Sequence, residues 1–205
     1  MAKKKQTAPV SITISGDELM LHAALRDKNF IIKEASVKDD YCHYTQVLTK
    51  GIGEGDTHKV KGTGIVKSDM HEALGKLRVH MAIIDDVYLH SNIEIDDIEK
   101  FYNHDLTLLY NVTGFKMKGT EENESIAIIG SKYVTSAVGR IALETPDVLM
   151  EASSGYKWYN ELKAAADLCR DEVAMYALGK CTKPETLEEE AGTTLAIAAP
   201  TTGKA

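Results

Sequence analysis

The chain is short of the residues that announce chemistry. Its three cysteines, Cys42, Cys169 and Cys181, form no CxxC pair and leave one over. That speaks against a disulfide framework and suits a reducing compartment, so all three read as thiols. No HExxH occurs, and no second CxxC completes a set of metal ligands. Cys42 and His43 are neighbours on an expected strand and point to opposite faces, while His71 and Glu72 stand about 100° apart on an expected helix. Neither a metal nor a cofactor is expected. A nucleophile elbow of the G-x-S-x-G type is missing, and adjacent carboxylates such as Asp85-Asp86 and Asp96-Asp97 read as solvated faces. The expectation is therefore a protein that is not an enzyme, with no catalytic residues.

Long apolar runs are also missing. No segment approaches the eighteen or so residues needed to cross a bilayer, and the N-terminus MAKKKQTAPV lacks the apolar centre of a signal peptide. A cytoplasmic protein with no membrane partner is expected. Positive charge is in deficit, with 24 basic residues against 31 acidic ones and a formal net charge of −7. This excludes a surface coated in DNA-binding charge and leaves room for local basic patches.

What is present is pattern. In GYKWYNELKAAADLCRDEVAMYALG, from Gly155 to Gly179, Trp158, Leu162, Ala165, Cys169, Val173 and Tyr176 recur at steps of three and four. The spacing predicts a helix with one continuous apolar stripe. Ser153 and Ser154 are candidate caps, and Gly179 with Lys180 supplies a left-handed stop and a cation at the negative end. A stripe that contains the only tryptophan must face a sheet or another chain. At about 24 residues such a helix spans about 36 Å, more than a three-stranded sheet can cover. Its far end, near Cys169 to Tyr176, should reach another unit or another subunit.

Earlier in the chain, Val10 to Ile14 alternate like a short strand. Ser15-Gly16-Asp17-Glu18 resembles a capping box that opens a helix carrying Leu19, Met20, Ala23 and Ala24 and ending near Asp27. From Asn29 the period becomes two, in NFIIKEASVK and, after Asp39-Asp40, in YCHYTQVLTK, the signature of an antiparallel hairpin. His58 to Val66 is a third strand. Between the second and third strands lie Gly51, Gly53 and Gly55 in a polar loop, read as flexible. It lacks the Gly-Lys-Ser/Thr of a P-loop and the strand-to-helix setting of a dinucleotide fingerprint. Ser68 is expected to cap a helix with Met70, Leu74, Leu77, Met81 and Ile84 on one face. The segment from Val87 to His104 reads either as a short helix over Asp96 to Tyr102 or as a loop. LTLLYNVTGFKMKG, SIAIIGSKYV and VGRIALET read as three more strands before the long helix.

Hairpin, third strand and striped helix thus occur twice, once over Asn29 to Asp85 and once over Asn111 to Leu178, alike in pattern and not in identity. The expected fold is α+β: two β-β-β-α units, antiparallel sheets covered by amphipathic helices, sharing a core or continuing a sheet across a pseudo-twofold axis. The expected division is a disordered basic N-terminus (1–9), a first unit (10–86), a connector (87–104), a second unit (105–180) and a disordered acidic tail (181–205). If Ser11 to Leu25 belongs to the first unit, its order of elements resembles half of a sliding-clamp domain.

The run VTGFKMKGTEENESIAIIGSKYV (Val112 to Val134), followed by Thr145-Pro146 and a helix ending DEVAMYALGK, resembles uncharacterised bacteriophage proteins associated with replication and recombination gene clusters. The resemblance covers roughly the second half of the chain. It implies a phage origin, a place in the bacterial host's cytoplasm and a role in nucleic-acid metabolism.

The residues themselves offer one candidate surface. Tyr41 and His43 share one face of the second strand and Tyr44 lies on the other, with Lys59 and Lys61 on the next strand beside the glycine loop. Aromatic platforms beside basic residues bind single-stranded nucleic acid on sheets, although aromatic residues also fill strands simply because they pack there. The acidic tail with Glu188, Glu189 and Glu190 suggests a protein partner, and the uncovered stripe suggests a homo-oligomer. Two functional readings are open. One is a nucleic-acid-binding accessory protein for single-stranded DNA in replication or recombination. The other is a structural, self-assembling protein or a sequestering inhibitor of a host factor.

Overall fold

The structure is a computed structural model and describes residues 16–120 and 123–182. The expected strand at Val10 to Ile14, the basic N-terminus and the acidic tail beyond Thr182 lie outside the described residues. In order, the elements are α1 (Gly16–Arg26), β1 (Phe30–Lys38), β2 (Tyr41–Leu48), β3 (Thr57–Ile65), α2 (Ser68–Ile84), α3 (Val87–His90), α4 (Asp105–Leu108), β4 (Tyr110–Lys118), β5 (Ser125–Val134), β6 (Gly139–Glu144), β7 (Val148–Leu149) and α5 (Tyr159–Ala177). Short 3₁₀ turns occupy Ile98–Phe101, Thr135–Ala137 and Ala152–Ser154.

The fold is α+β, built on a mostly antiparallel open sheet with strand order β3-β2-β1-β4-β5-β6; β7 pairs with β5 off this path. Each hairpin follows from its alternation. In the first, Asp39 and Asp40 both adopt positive φ (51° and 63°), the left-handed pair a two-residue turn requires, and the register runs from Lys38↔Tyr41 outward. The two units meet where β1 pairs antiparallel with β4, placing Ala35 opposite Phe115 and Ser36 opposite Gly114. The strand order is mirrored about that seam, with β3-β2-β1 on one side and β4-β5-β6 on the other, so a single sheet runs through both.

Both long helices lie on one face of the sheet and pack on each other. They are crossed between the units. α2, which follows β3, packs on β4, whereas α5, which follows β6, packs on β1 and β2. Between them they bury Leu77, Met81, Phe115, Ile126, Ile128, Leu162, Cys169 and Val173 at 1% exposure or less. Each large aliphatic chain so buried contributes about 1.5–3 kcal/mol. The stripe of α5 is as expected at Leu162, Ala165, Cys169, Val173 and Tyr176, all buried, while Trp158 is only half-buried against the core. The far end of the helix does reach the first unit, where Tyr176 donates a hydrogen bond to the Gly64 carbonyl at 2.6 Å.

Several boundaries differ from expectation. α5 begins at Tyr159 and has 19 residues, because Ser153 and Ser154 belong to a 3₁₀ turn and Ser154 Oγ accepts from the Tyr156 amide instead of capping the helix. Its C-terminus is as expected: Gly179 has φ 107°, and the Gly179 and Lys180 amides bond back to the carbonyls of Tyr176 and Met175 in a Schellman motif. Ser68 sits inside α2; Lys67 is the N-cap, and no side chain caps that end. In α1, Met20 is 73% exposed and Leu25 packs on the core, so the buried side is rotated from the stripe expected there.

The connector is part of the core. Tyr88, Ile98 and Phe101 are buried, and Tyr88, Phe101 and His104 form an aromatic cluster with centroids 5.1–5.4 Å apart. At the other end, Cys181 and Thr182, the first residues of the expected tail, are fixed against the sheet. Thr182 and Ile65 exchange backbone hydrogen bonds of 2.8 and 3.0 Å. Among the described residues no helix is long and apolar enough to cross a membrane.

Candidate nucleic-acid interface

The face of the sheet opposite α2 and α5 has no helix packed on it among the described residues. Strand alternation decides what stands there. In β2, Cys42 is fully buried on the helical side, and its thiol is pushed up to about 12 by burial, consistent with an inert core residue. His43 and Thr45 therefore face outward. The ladder sets His43 between Ser36 of β1 and Lys61 of β3, and Thr45 between Glu34 and Lys59. One strand further, Glu34 is opposite Lys116 of β4.

These side chains border a shallow groove of about 360 Å³, lined by residues of β1, β2 and β3: Glu34, Ser36, His43, Tyr44, Thr45, Lys59, Val60 and Lys61. Lys59 and Lys61 are exposed, and neither forms a salt bridge among the described residues. Lys116, by contrast, is held 2.8 Å from Glu144 across β5. His43 Nδ1 is buried and has no hydrogen-bond partner among the described residues.

Of the residues expected to act together, His43, Lys59 and Lys61 are brought together. Tyr41 is at the hairpin end, opposite Lys38 and Ile65, and does not line the groove. Tyr44 is turned under the helical layer. Its ring packs edge-on against Tyr176 at 6.3 Å and 85°, and burial raises its hydroxyl above the usual phenol range. It is unavailable as a stacking platform, which corrects its place in the expected set. Sequence reasoning missed Glu34, Ser36 and Thr45. The signal was available, since a two-residue turn at Asp39-Asp40 fixes which β1 residue faces each β2 residue.

The glycine loop is closed by its own backbone. Gly51, Gly53 and Gly55 all have φ between 85° and 92°, and amide bonds run from Glu54 to Gly51, Gly55 to Leu48 and Asp56 to Gly53. Only glycine takes that conformation without strain at alternate positions. The turns leave Ile52 fully exposed at the tip.

A second groove, of about 410 Å³, is lined by His71, Glu72, Lys76, Arg78 and Tyr102 beside α2. There Lys76 already lies 4.8 Å over the Tyr102 ring, and Glu72 offsets part of the charge. Among the described residues, no three His, Cys, Asp or Glu side chains converge to hold a metal ion. Comparison with protein-family models, with curated proteins and with solved structures finds no match for this chain.

Proposed function

We propose that the open sheet face binds single-stranded nucleic acid, and that the protein is a non-enzymatic accessory factor in phage replication or recombination, working in the host cytoplasm. The observation that carries this reading is the pair of exposed cations Lys59 and Lys61, without a salt bridge among the described residues and set on one face with His43 in a shallow groove. Alternate residues of a strand rise about 6.6 Å apart. That is close to the spacing of successive phosphates on an extended strand, so the two ammonium groups suit neighbouring phosphates of one chain. A net charge of −7 over the whole chain favours contact confined to this groove. The phage setting rests on the resemblance of Val112 to Val134.

Filter binding of labelled single-stranded DNA at two salt concentrations tests the reading. Retention at low salt that falls steeply at higher salt is expected, because phosphate contacts release counterions. No retention at low salt defeats it. A second reading, a self-assembling structural protein, is favoured by the edge of β6, which has no strand on its outer side among the described residues.

A further inference from the structure

The two edges of the sheet differ in kind. β3 presents His58, Lys59 and Lys61, and its end is covered by the bridge between Ile65 and Thr182. Lysines on an edge discourage pairing with another strand. β6 is the other edge, and among the described residues nothing pairs with its outer side. It reads Gly139-Arg140-Ile141-Ala142-Leu143-Glu144 and is followed by Thr145-Pro146.

Its free backbone groups can be assigned. The Thr145 amide bonds inward to the Ile128 carbonyl of β5. Alternation then turns the N–H and C=O of Arg140, Ala142 and Glu144 outward. The side chains divide the same way. Arg140 reaches Ser131 and Glu144 reaches Lys116 on the open face, whereas Leu143 packs on the core and Ile141 is 50% exposed beside it.

We propose that β6 pairs antiparallel with β6 of a second copy of this chain, about a twofold axis at Ala142, giving a symmetric dimer with one sheet continuous across both molecules. In this register Arg140 is opposite Glu144 of the second copy, Ile141 is opposite Leu143, and Ala142 meets itself. The outward groups of Arg140, Ala142 and Glu144 all find partners. Opposite charges and apolar pairs directly across a ladder are the stabilising combinations, and a single strand supplies both halves of each. Moving the axis by one residue either way brings Arg140 opposite Ala142 or opposite Pro146, and the charge pair is lost. Self-complementarity of this kind defines an isologous, closed interface, the commonest in oligomers. It leaves the groove at β3 free on both molecules.

Sedimentation velocity of the full chain over a concentration series tests the proposal, and needs no nucleic acid. A monomer–dimer equilibrium is expected. Arg140→Glu and Glu144→Arg each set like charges across the axis and should weaken the dimer about tenfold or more. The double variant R140E/E144R restores the opposition and should recover most of that loss. Ala142→Pro, which removes the central outward amide, should leave monomer, while Lys59→Ala/Lys61→Ala should leave the dimer unchanged. Circular dichroism melts report whether each variant folds. If Ala142→Pro does not fold, the charge-swap series decides alone. A wild type that stays monomeric throughout, an assembly that keeps growing beyond a dimer, or a double variant no better than the singles overturns the proposal.

Discussion

The Tyr176 hydroxyl donates to the Gly64 carbonyl at 2.6 Å, so the last turn of α5 is fastened to the edge strand β3 of the other unit. The close approach depends on the next glycine along the strand. A Cβ at Gly62 would lie 2.2 Å from both the Cys42 carbonyl oxygen and the Tyr176 hydroxyl. Tyr176→Phe should cost about 1–2 kcal/mol by leaving a buried carbonyl unpaired, and Gly62→Ala about 2–3 kcal/mol by overpacking. The double variant should lose less than the sum, because the phenyl ring has no hydroxyl to clash. Urea denaturation of the three variants measures this; strict additivity would show that the two sites do not touch.

His80 is fully buried in α2, with Nδ1 2.9 Å from the Tyr156 hydroxyl and Nε2 without a partner among the described residues. Burial lowers its pKa from 6.5 to about 4. The folded state therefore binds this proton less readily than the unfolded chain. Its contribution is fully present above pH 6.5 and is lost as the pH falls from there towards 4, to a total of about 3 kcal/mol. His80→Leu should flatten that part of the pH–stability curve. A curve with the same slope would assign the acid sensitivity to other groups.

Lys180 is nearly enclosed, with Nζ 2.9 Å from Glu172 and 2.7 Å from Asp69, and so joins the end of α5 to the start of α2. Burial by itself would lower its pKa, but the hydrogen bonds to Asp69 and Glu172 outweigh it and hold the ammonium above its usual range. Lys180→Met strands a buried carboxylate at Glu172 and should cost about 3–5 kcal/mol. Adding Glu172→Leu should recover most of it, since a pair replaced by apolar groups is far less damaging than a pair half removed. Denaturation midpoints of the single and double variants decide. Asp69, by the same hydrogen bond from Lys180, has its pKa lowered from 3.8; its share of stability is present above that value and goes as the pH falls through the lower folded one.

For the groove, Lys59→Ala and Lys61→Ala should each reduce the slope of log affinity against log salt by about 0.7, the share of one phosphate contact on a single strand. Tyr44→Phe should leave affinity unchanged, because its ring is on the helical side. Fluorescence anisotropy with a labelled oligonucleotide at several salt concentrations reads all three. Unchanged slopes in both lysine variants would move the site away from this face.

The parts of this fold legible in the sequence are those governed by local periodicity. Alternation from Phe30 to Leu48 predicts the first hairpin, and the three-and-four spacing from Leu162 to Tyr176 predicts the buried side of α5. The parts that were not legible depend on distant partners. Ser68 and Ser153-Ser154 have good capping chemistry, yet the neighbouring backbone takes other conformations, with a 3₁₀ turn at Ala152–Ser154. β7 is two residues long and exists only because β5 offers it an edge. The connector looks polar, but Tyr88 and Phe101 at its ends are drawn into the core by their mutual packing. In the groove, alternation correctly separates His43 from Tyr44; only the Tyr176 contact shows that Tyr44 is spoken for.

The crossing of α2 and α5 has a consequence for how the molecule comes into being. Neither half owns the helix that covers it: the first three strands wait for α5, and α2 has no β4 to lie on until the second hairpin exists. During synthesis the first ninety or so residues would expose an apolar sheet face and an apolar helix face at once, a state prone to aggregation. Closure comes only when Tyr176 and Lys180 have left the ribosome, so the chain gains its stability in one late, cooperative event and not half by half.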